Sequence, residues 1–250
     1  MTDTTKKAIF LYDFTGLMAQ PWIDAGYECW LFDGQHEPGV KREGNLLKVG
    51  MWFHHDQIHQ HAVDIAEMVG GGVRIVVGFP ECTYLTTTGA RWLYHPDDKH
   101  LPFKERRPHP MHPDRRVKQK QAVELFKLPK AVADLIGCPF ASENPAVNVL
   151  NTQYARPEYK FNPWEYGGYL PEDDVHPTYP DYINARDAYP KNTGIWCGNG
   201  FVMPDRKPVY CDPGYSKQYE RLGGKSLKTK NIRSATPRGF AIAVYEANHD

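Results

Sequence analysis

Three short apolar segments within the first 80 residues constrain the fold more than any other feature of the sequence. They are Ala8–Asp13, Glu28–Asp33 and Val73–Phe79; the first two end in an acid and the third runs into a proline. Nearly continuous apolar runs of this length are typical of parallel strands that are buried on both faces of a sheet. The sequence therefore predicts a strand in each segment.

Segments with helical spacing separate these strands. Met18–Ala25 is compatible with a helix that carries Pro21 near its first turn, and His55–Val69 has apolar residues at helical intervals until a run of three glycines ends it. Strands that alternate with helices are the pattern of an open α/β sheet. We therefore predict an α/β fold with a doubly wound, mostly parallel sheet.

The remaining chain continues this pattern with longer loops. Little periodicity and much Pro, Tyr and Asp occur after residue 150, so we predict a single domain over residues 1–250 with a loop-rich insertion at 150–215. The other predicted elements are a helix over Arg116–Leu135 interrupted at Pro129, a strand over Pro139–Ser142, a hairpin of Gly194–Met203 with Val209–Cys211, and a closing helix over Thr236–Ala247 with Thr236 as N-cap.

Several classes of protein are disfavoured. The five cysteines are odd in number and form no Cys-x-x-Cys pair, so we expect free thiols rather than a disulfide framework or a zinc knuckle. His54, His55, His59 and His61 form a cluster in which His55 and His59 share a helix face, but no third ligand accompanies them, which favours surface histidines and no metal. The sequence shows neither a signal-peptide core nor a membrane-length apolar run, so we expect no membrane contact and a cytoplasmic location.

Charge is balanced overall but uneven along the chain. Thirty Lys and Arg residues oppose thirty Asp and Glu residues, so attraction to nucleic acid requires a local patch. Between Lys99 and Lys120 eight basic residues face two acids, and between Lys217 and Arg238 seven face one. Charge runs often form solvated faces, but two such runs also suit a phosphate backbone.

Polar residues follow the predicted strands where open α/β sheets bind ligands. The Asp13–Gly16 turn allows backbone to approach a cofactor closely, and Asp33 ends the second strand, where an acid can accept hydrogen bonds from ribose hydroxyls. The GxGxxG phosphate fingerprint is missing from the sequence, which disfavours NAD. Taken alone, the turn and the later acid are a weak signal, and ordinary turn chemistry is the alternative explanation.

Two residues are candidates for catalysis. Cys82 follows the third strand, where a cationic neighbour or a helix terminus could lower its pKa, although single cysteines more often act as small buried hydrophobes. Glu143 ends another predicted strand and could donate a proton to a ring nitrogen; the alternative is a capped turn before Pro145.

Together these motifs resemble the DNA (cytosine-5) methyltransferase family, in particular its short phage-type members. FTG at 14–16 is similar to the F-x-G cofactor turn, GFPECTYLTTTGARW to the Pro-Cys nucleophile motif, and SENPAVNVL to the Glu-Asn-Val motif. The segments FNPWEYGG, KNTGIW and RSATPRGFA resemble the distal blocks of the phage proteins. The resemblance implies that Cys82 is the nucleophile, that Glu143 is the catalytic acid, and that S-adenosylmethionine is bound by Phe14, Thr15, Gly16, Asp33 and Pro80.

The implied reaction is methylation of cytosine carbon 5 in DNA through a covalent Cys82 adduct, in the host cytoplasm if a phage encodes the chain. The target base would be flipped out of the duplex, and the basic loop after Cys82 would hold the strand. The implied DNA contacts are Arg91, Arg106, Arg107, Arg115, Arg116 and Lys118.

Two alternatives stay open. Only 36 residues separate Trp196 from Arg233, which is short for a target recognition domain and favours a same-fold enzyme that modifies a free pyrimidine nucleotide or uses another one-carbon donor. Glu81 places a carboxylate beside the thiol where the family has proline, which favours a catalytically silent DNA-binding protein.

Overall fold

A computed structural model describes residues 5–223 and 226–250. These residues form a seven-stranded sheet and eight α-helices. The strands are β1 (Lys7–Leu11), β2 (Glu28–Glu43), β3 (Leu46–Gly50), β4 (Val73–Gly78), β5 (Phe140–Pro145), β6 (Tyr159–Phe161) and β7 (Thr193–Gly198). The helices are α1 (Gln20–Asp24), α2 (Ile58–Val69), α3 (Arg115–Phe126), α4 (Leu128–Ile136), α5 (Leu150–Gln153), α6 (Lys217–Arg221), α7 (Leu227–Ser234) and α8 (Arg238–Asn248).

The sheet is mixed but mostly parallel, as predicted, and the chain belongs to the α/β class. Its strand order is β3-β2-β1-β4-β5-β7-β6. β1 runs parallel to β2 and β4, and β4 runs parallel to β5. β7 is antiparallel to both of its neighbours, β5 and β6. The order reverses direction between β1 and β4, and the crevice beyond the carboxyl ends of the strands at such a point is where open sheets bind ligands.

Helices cover both faces of this sheet. Successive residues of β1 point to opposite faces, so Phe10 packs in the same cluster as Trp22 of α1 and Phe240 of α8. On the other face, Ile9 packs in the same cluster as Ile65 of α2. The central strand is thus buried on both sides, which accounts for the unbroken apolar run in its sequence.

The C-terminal half of the sheet differs from the prediction. The hairpin of Gly194–Met203 with Val209–Cys211 is wrong, because β7 lies between β5 and β6 and residues 209–211 form no strand. The physical reason is that β7 is buried on both faces, with Ile195 in one hydrophobic cluster and Trp196 in another. A strand with two apolar faces belongs inside a sheet.

β2 is longer than its predicted segment. Residues 29–33 pair in parallel with β3, from Cys29 with Leu46 to Asp33 with Gly50. The register then runs backwards, from Val40 opposite Val49 to Glu43 opposite Leu46, so the end of β2 folds back on β3 as a hairpin. Asp33 therefore ends the parallel part of β2, as predicted.

The predicted helix boundaries need small corrections. The break in the helix over Arg116–Leu135 lies at Lys127, and Pro129 stands in the first turn of α4, where its missing N–H costs no hydrogen bond. Thr236 does not cap the closing helix, whose N-cap is Pro237. Asp187 supplies the cap from a distant loop, because its Oδ2 accepts a 2.8 Å hydrogen bond from the Gly239 N–H.

Two other expectations can be compared with the structure. All five cysteines are free thiols in the structure, as expected from their spacing. Among the described residues, no helix has both the length and the apolarity needed to cross a membrane.

Candidate functional site

The predicted cofactor and catalytic residues lie at one edge of the sheet. Residues 13–16 follow β1, Asp33 follows the parallel part of β2, residues 80–82 follow β4, and Glu143 lies near the end of β5. These four strands are parallel, so their carboxyl ends meet at the same edge, which we call the carboxyl edge. The edge therefore gathers residues from separate parts of the chain.

The turn after β1 is closed by a buried carboxylate. Asp13 Oδ1 accepts hydrogen bonds from the Gly16 N–H at 2.8 Å and from the Thr15 hydroxyl at 3.1 Å. Gly16 has a φ of +69°, a conformation that favours glycine. Burial raises the pKa of Asp13 to about 6 despite these hydrogen bonds. Its Oδ2 is buried and has no hydrogen-bond partner among the described residues.

Aromatic groups lie beside this turn. The Phe14 ring is 40% exposed and stacks on His36, with 5.4 Å between the ring centroids. His36 Nε2 lies 3.2 Å from the backbone oxygen of Asp13, which ties the start of the β2 hairpin to the turn after β1. Phe14 thus offers a flat apolar surface next to the Asp13 carboxylate.

A second aromatic surface adjoins Asp33. Asp33 Oδ1 accepts a 2.7 Å hydrogen bond from the Gln35 N–H, and burial raises the pKa of Asp33. The Trp52 ring lies against Gly34, where any side chain would overlap it, and Trp52 is 70% exposed. Trp52 was not identified from the sequence, because it follows β3, a strand that was not predicted, and its place depends on contact with Gly34.

The loop that carries Cys82 is fixed to the end of β5. Asn144, which is 1% exposed, donates its Nδ2 hydrogen to the carbonyl oxygen of Pro80 at 2.8 Å. Asn148 in turn donates from Nδ2 to Asn144 Oδ1 at 3.0 Å. The Cys82 carbonyl accepts hydrogen bonds from the backbone N–H groups of residues 85 and 86. Buried hydrogen bonds thus hold the half-buried Cys82 beside the strand that carries Glu143.

Opposite charges act on the Cys82 thiol. Burial raises its pKa most, the negative charge of Glu143 raises it further, the Lys191 ammonium lowers it and Glu81 raises it slightly. Lys191 Nζ lies 3.6 Å from Glu143 Oε1. Cys82, Glu143 and Lys191 therefore form one electrostatic group at the carboxyl edge.

Lys191 is a second residue of the carboxyl edge that was not identified from the sequence. It precedes β7, and the antiparallel register of β7 with β5 pairs Thr193 with Pro145, so the start of β7 meets the end of β5. The only signal in the sequence was the KNTGIW segment, which begins at Lys191. The pairing that brings this lysine to Glu143 depends on the antiparallel strand that was mispredicted.

No protein-family model matches this sequence, and no curated protein matches it. Its function is therefore inferred from the chemistry of the carboxyl edge.

The groups near the turn after β1 suit a nucleoside that carries positive charge. Asp13 contributes an unpartnered buried oxygen and Asp33 a second carboxylate. Phe14 and Trp52 offer exposed aromatic faces for a purine. Two acids at the edge disfavour a pyrophosphate, which needs backbone N–H groups or cations. The residues present therefore fit S-adenosylmethionine better than a dinucleotide.

Glu81 does not oppose Cys82 as an isolated charge. Its Oε1 accepts a 2.7 Å hydrogen bond from the Thr83 hydroxyl and lies 3.3 Å from Lys230 Nζ. Lys230 belongs to the second basic segment of the sequence, so this ion pair brings that segment next to the Cys82 loop. Lys225 of the same segment lies outside the described residues.

The six predicted DNA contacts fall into two groups. Arg106, Arg107 and Arg115 are held by hydrogen bonds within the protein: Arg107 binds the buried Asp98 carboxylate with two guanidinium nitrogens and lowers its pKa. Arg106 and Arg115 donate to backbone carbonyls. The other three make only ring contacts within the described part of the chain; they are Arg91 over Trp92, Arg116 over Tyr94 and Lys118 over Tyr84.

The histidine cluster has a structural role at one position. His61 is buried, unlike the surface histidine expected there, and its Nε2 accepts a 2.9 Å hydrogen bond from the His54 N–H. Across residues 5–223 and 226–250, no group of three or more His, Cys, Asp or Glu side chains is arranged to hold a metal ion.

Proposed function

We propose that this protein is an S-adenosylmethionine-dependent methyltransferase that modifies carbon 5 of cytosine in DNA. The observation that carries the proposal is the grouping of Cys82, Glu143 and Lys191 at the carboxyl edge, 3.6 Å separating the latter two side chains. Covalent addition to a pyrimidine requires a thiolate nucleophile and an acid at the ring, and a neighbouring cation favours the thiolate. The fold that accompanies the proposal is a Rossmann-like methyltransferase fold, which the strand order β3-β2-β1-β4-β5 supports.

The cofactor would lie at the carboxyl edge, on the β1 side of the point between β1 and β4 where the strand order reverses. Asp13, Asp33, Phe14 and Trp52 are the residues proposed to hold it, with the Thr15–Gly16 backbone allowing close approach and buried Pro80 closing the crevice from β4. Bound S-adenosylmethionine supplies an electrophilic methyl group on a sulfonium centre.

The protein's own residues would make carbon 5 reactive. Cytosine carbon 5 is a poor nucleophile until a thiolate adds to carbon 6. Cys82 forms that S–C6 bond, and the electron pair of the C5–C6 double bond shifts through carbon 4 towards N3, which accepts a hydrogen bond from the protonated form of the Glu143 carboxyl group. After carbon 5 gains the methyl group, it loses its proton to solvent water, the C5–C6 double bond forms again, the S–C6 bond breaks and the Cys82 thiolate leaves.

Lys191 would support both partners in this scheme. Its ammonium group lies beside the Glu143 carboxyl group and fixes its position. The same positive charge lowers the pKa of Cys82 and so offsets part of the effect of burial. Lys191 is thus a positioning residue that also favours the thiolate.

Trapping with 5-fluorocytosine tests the proposal. Fluorine at carbon 5 prevents loss of the substituent after methyl transfer, so a duplex rich in 5-fluorocytosine should form a denaturant-stable adduct with the protein in the presence of S-adenosylmethionine. Peptide mapping should locate the adduct at Cys82. Cys82→Ser should abolish it and Cys197→Ser, which changes another half-buried thiol, should not. An adduct that persists in Cys82→Ser would contradict the proposal.

The short segment between β7 and α7 favours a second candidate, an enzyme that acts on a free pyrimidine nucleotide. Residues 199–216 contain no helix and no strand in the structure, so little scaffold is present there for reading a DNA sequence. An adduct with 5-fluorodeoxycytidine monophosphate, and none with the duplex, would select this candidate.

A further inference from the structure

The segment of residues 87–114, which we call the arm, follows the Cys82 loop. The Tyr94–Pro108 bridge and the Arg107 hydrogen bonds to Asp98 close it on itself. None of residues 87–114, all of which the structure describes, belongs to the hydrophobic clusters of the core. Polar contacts and ring stacking therefore hold the arm together.

Aromatic rings and guanidinium groups pack together on this arm and on the first turn of α3, which follows it. The Arg106 guanidinium carbon lies 4.3 Å from the Phe103 ring centroid and 5.8 Å from that of Tyr94. The Arg116 guanidinium carbon lies 5.0 Å from the same Tyr94 ring. The Phe103 and Tyr94 rings also contact each other, with 5.8 Å between their centroids and 44° between their planes. The result is a compact cationic stack in which Phe103, Tyr94 and Arg106 contact one another and Arg116 lies on the far side of Tyr94 from the exposed Phe103 end.

The stack is fixed in place and open to solvent at one end. Arg106 donates from Nε to the Leu101 carbonyl at 2.7 Å and from Nη2 to the Lys99 carbonyl at 2.8 Å, so its plane is set by the backbone. Phe103 is 66% exposed at the end of the stack, and Met111 of the same arm is 72% exposed. A large apolar ring held in solvent by a fixed cation gains nothing from core packing.

Such a stack matches the chemistry of an unpaired DNA base. Every base offers a flat π face to an aromatic side chain, and the neighbouring phosphates are attracted by cations. Proteins that open a duplex also insert apolar side chains such as Phe and Met against the unstacked bases. A flipped cytosine leaves bases of this kind exposed.

We propose that Phe103 stacks on a DNA base that becomes exposed when the duplex opens, with Arg106 and Tyr94 supporting the ring from behind. The inference rests on the proposed function in its choice of DNA as substrate. Stacking by Phe103 can be distinguished from phosphate contact by a lysine or an arginine, because the phenylalanine ring adds no charge to the interface.

Substitutions at Phe103 separate stacking from charge. Phe103→Leu should weaken binding to a short single-stranded oligonucleotide by about five- to a hundredfold, the range seen when base–aromatic stacking is lost. The slope of log affinity against log salt should not change, because no cation is removed. Phe103→Tyr keeps the ring and should bind like the wild type. Tyr210→Leu, at an aromatic residue that is 80% exposed outside the arm, is the matched control and should also bind like the wild type.

Photo-crosslinking gives a second, direct measurement. DNA that carries 5-iodouracil at many positions should cross-link to Phe103 or Tyr94 of the wild type on irradiation, as located by peptide mapping. Equal affinities for the wild type and Phe103→Leu, or cross-links only outside the arm, would overturn the inference. If the Cys82 adduct with 5-fluorocytosine DNA still forms in that case, the proposed function stands without it. A wild-type protein that binds no DNA at low salt would overturn both.

Discussion

At the scale of single residues, the ionisation of Cys82 decides what the site can do. Only a thiolate reacts with an electrophile or with cytosine. Burial and Glu143 raise the pKa of Cys82, and Lys191 lowers it, so alkylation of Cys82 by iodoacetamide should reach half its maximal rate at a higher pH than for an ordinary cysteine. Lys191→Met should move that midpoint to still higher pH, and Glu143→Gln should move it to lower pH. Peptide mapping assigns the rate to Cys82 among the five thiols.

A matched lysine gives the control for this experiment. Lys130 forms an ion pair with Asp134 on α4 and does not act on Cys82, so Lys130→Met should leave the profile unchanged. Identical midpoints for Lys191→Met and the wild type would show that Lys191 does not reach the thiol in solution, and the role proposed for it would be wrong.

At the scale of elements, local patterns identified the strands and helices whose partners are near in sequence. β1, α2 and β4 lie close to their predicted segments because burial on both faces, or on one helical face, is encoded locally. β7 was mispredicted because its outer partner, β6, has only three residues and no recognisable pattern. The cap of α8 comes from Asp187, which lies far away in sequence, so no local signal could identify it.

The contact between the β4 loop and β5 yields a prediction at this scale. Asn144→Ala removes the hydrogen bond to the Pro80 carbonyl and leaves buried polar groups unpaired, so we expect a loss of about 1–3 kcal/mol in the free energy of unfolding. Because that bond positions the loop of Cys82, the rate of adduct formation should fall even where the variant is fully folded. Denaturant unfolding and the trapping assay measure the two effects. Asn199→Gly, which breaks an exposed bond to Asp134 at a residue whose φ of +54° suits glycine, should change neither. Normal trapping by Asn144→Ala would show that the loop keeps its place without the bond.

At the scale of the whole molecule, topology explains which parts of the site the sequence could reveal. Cys82 and Glu143 were identifiable because parallel strands bring their carboxyl ends to one edge. Lys191 reaches the same edge because it precedes an antiparallel strand that begins there. Trp52 lies beside the edge because its ring packs on Gly34. Neither position can be predicted from the ends of the parallel strands alone. The roles of the basic residues also depended on the fold, since Arg107 is bound to an aspartate nine residues earlier.

The last prediction uses this division of the basic residues to decide between a polymer and a free nucleotide. Replacing Arg91, Arg116 and Lys118 by Gln removes three cations that make no hydrogen bond within the described residues. If they contact phosphates, the slope of log affinity for duplex DNA against log salt should flatten by up to about 0.9 for each lost contact.

Arg107→Gln is the control, because it removes one charge that is already bound to Asp98 and should therefore change the slope little. The contact with Asp98 closes the arm, so this variant should also make the arm easier to cleave in limited proteolysis. A triple variant that is folded and keeps the wild-type slope would assign these side chains to a solvated face, and the free nucleotide would become the favoured substrate.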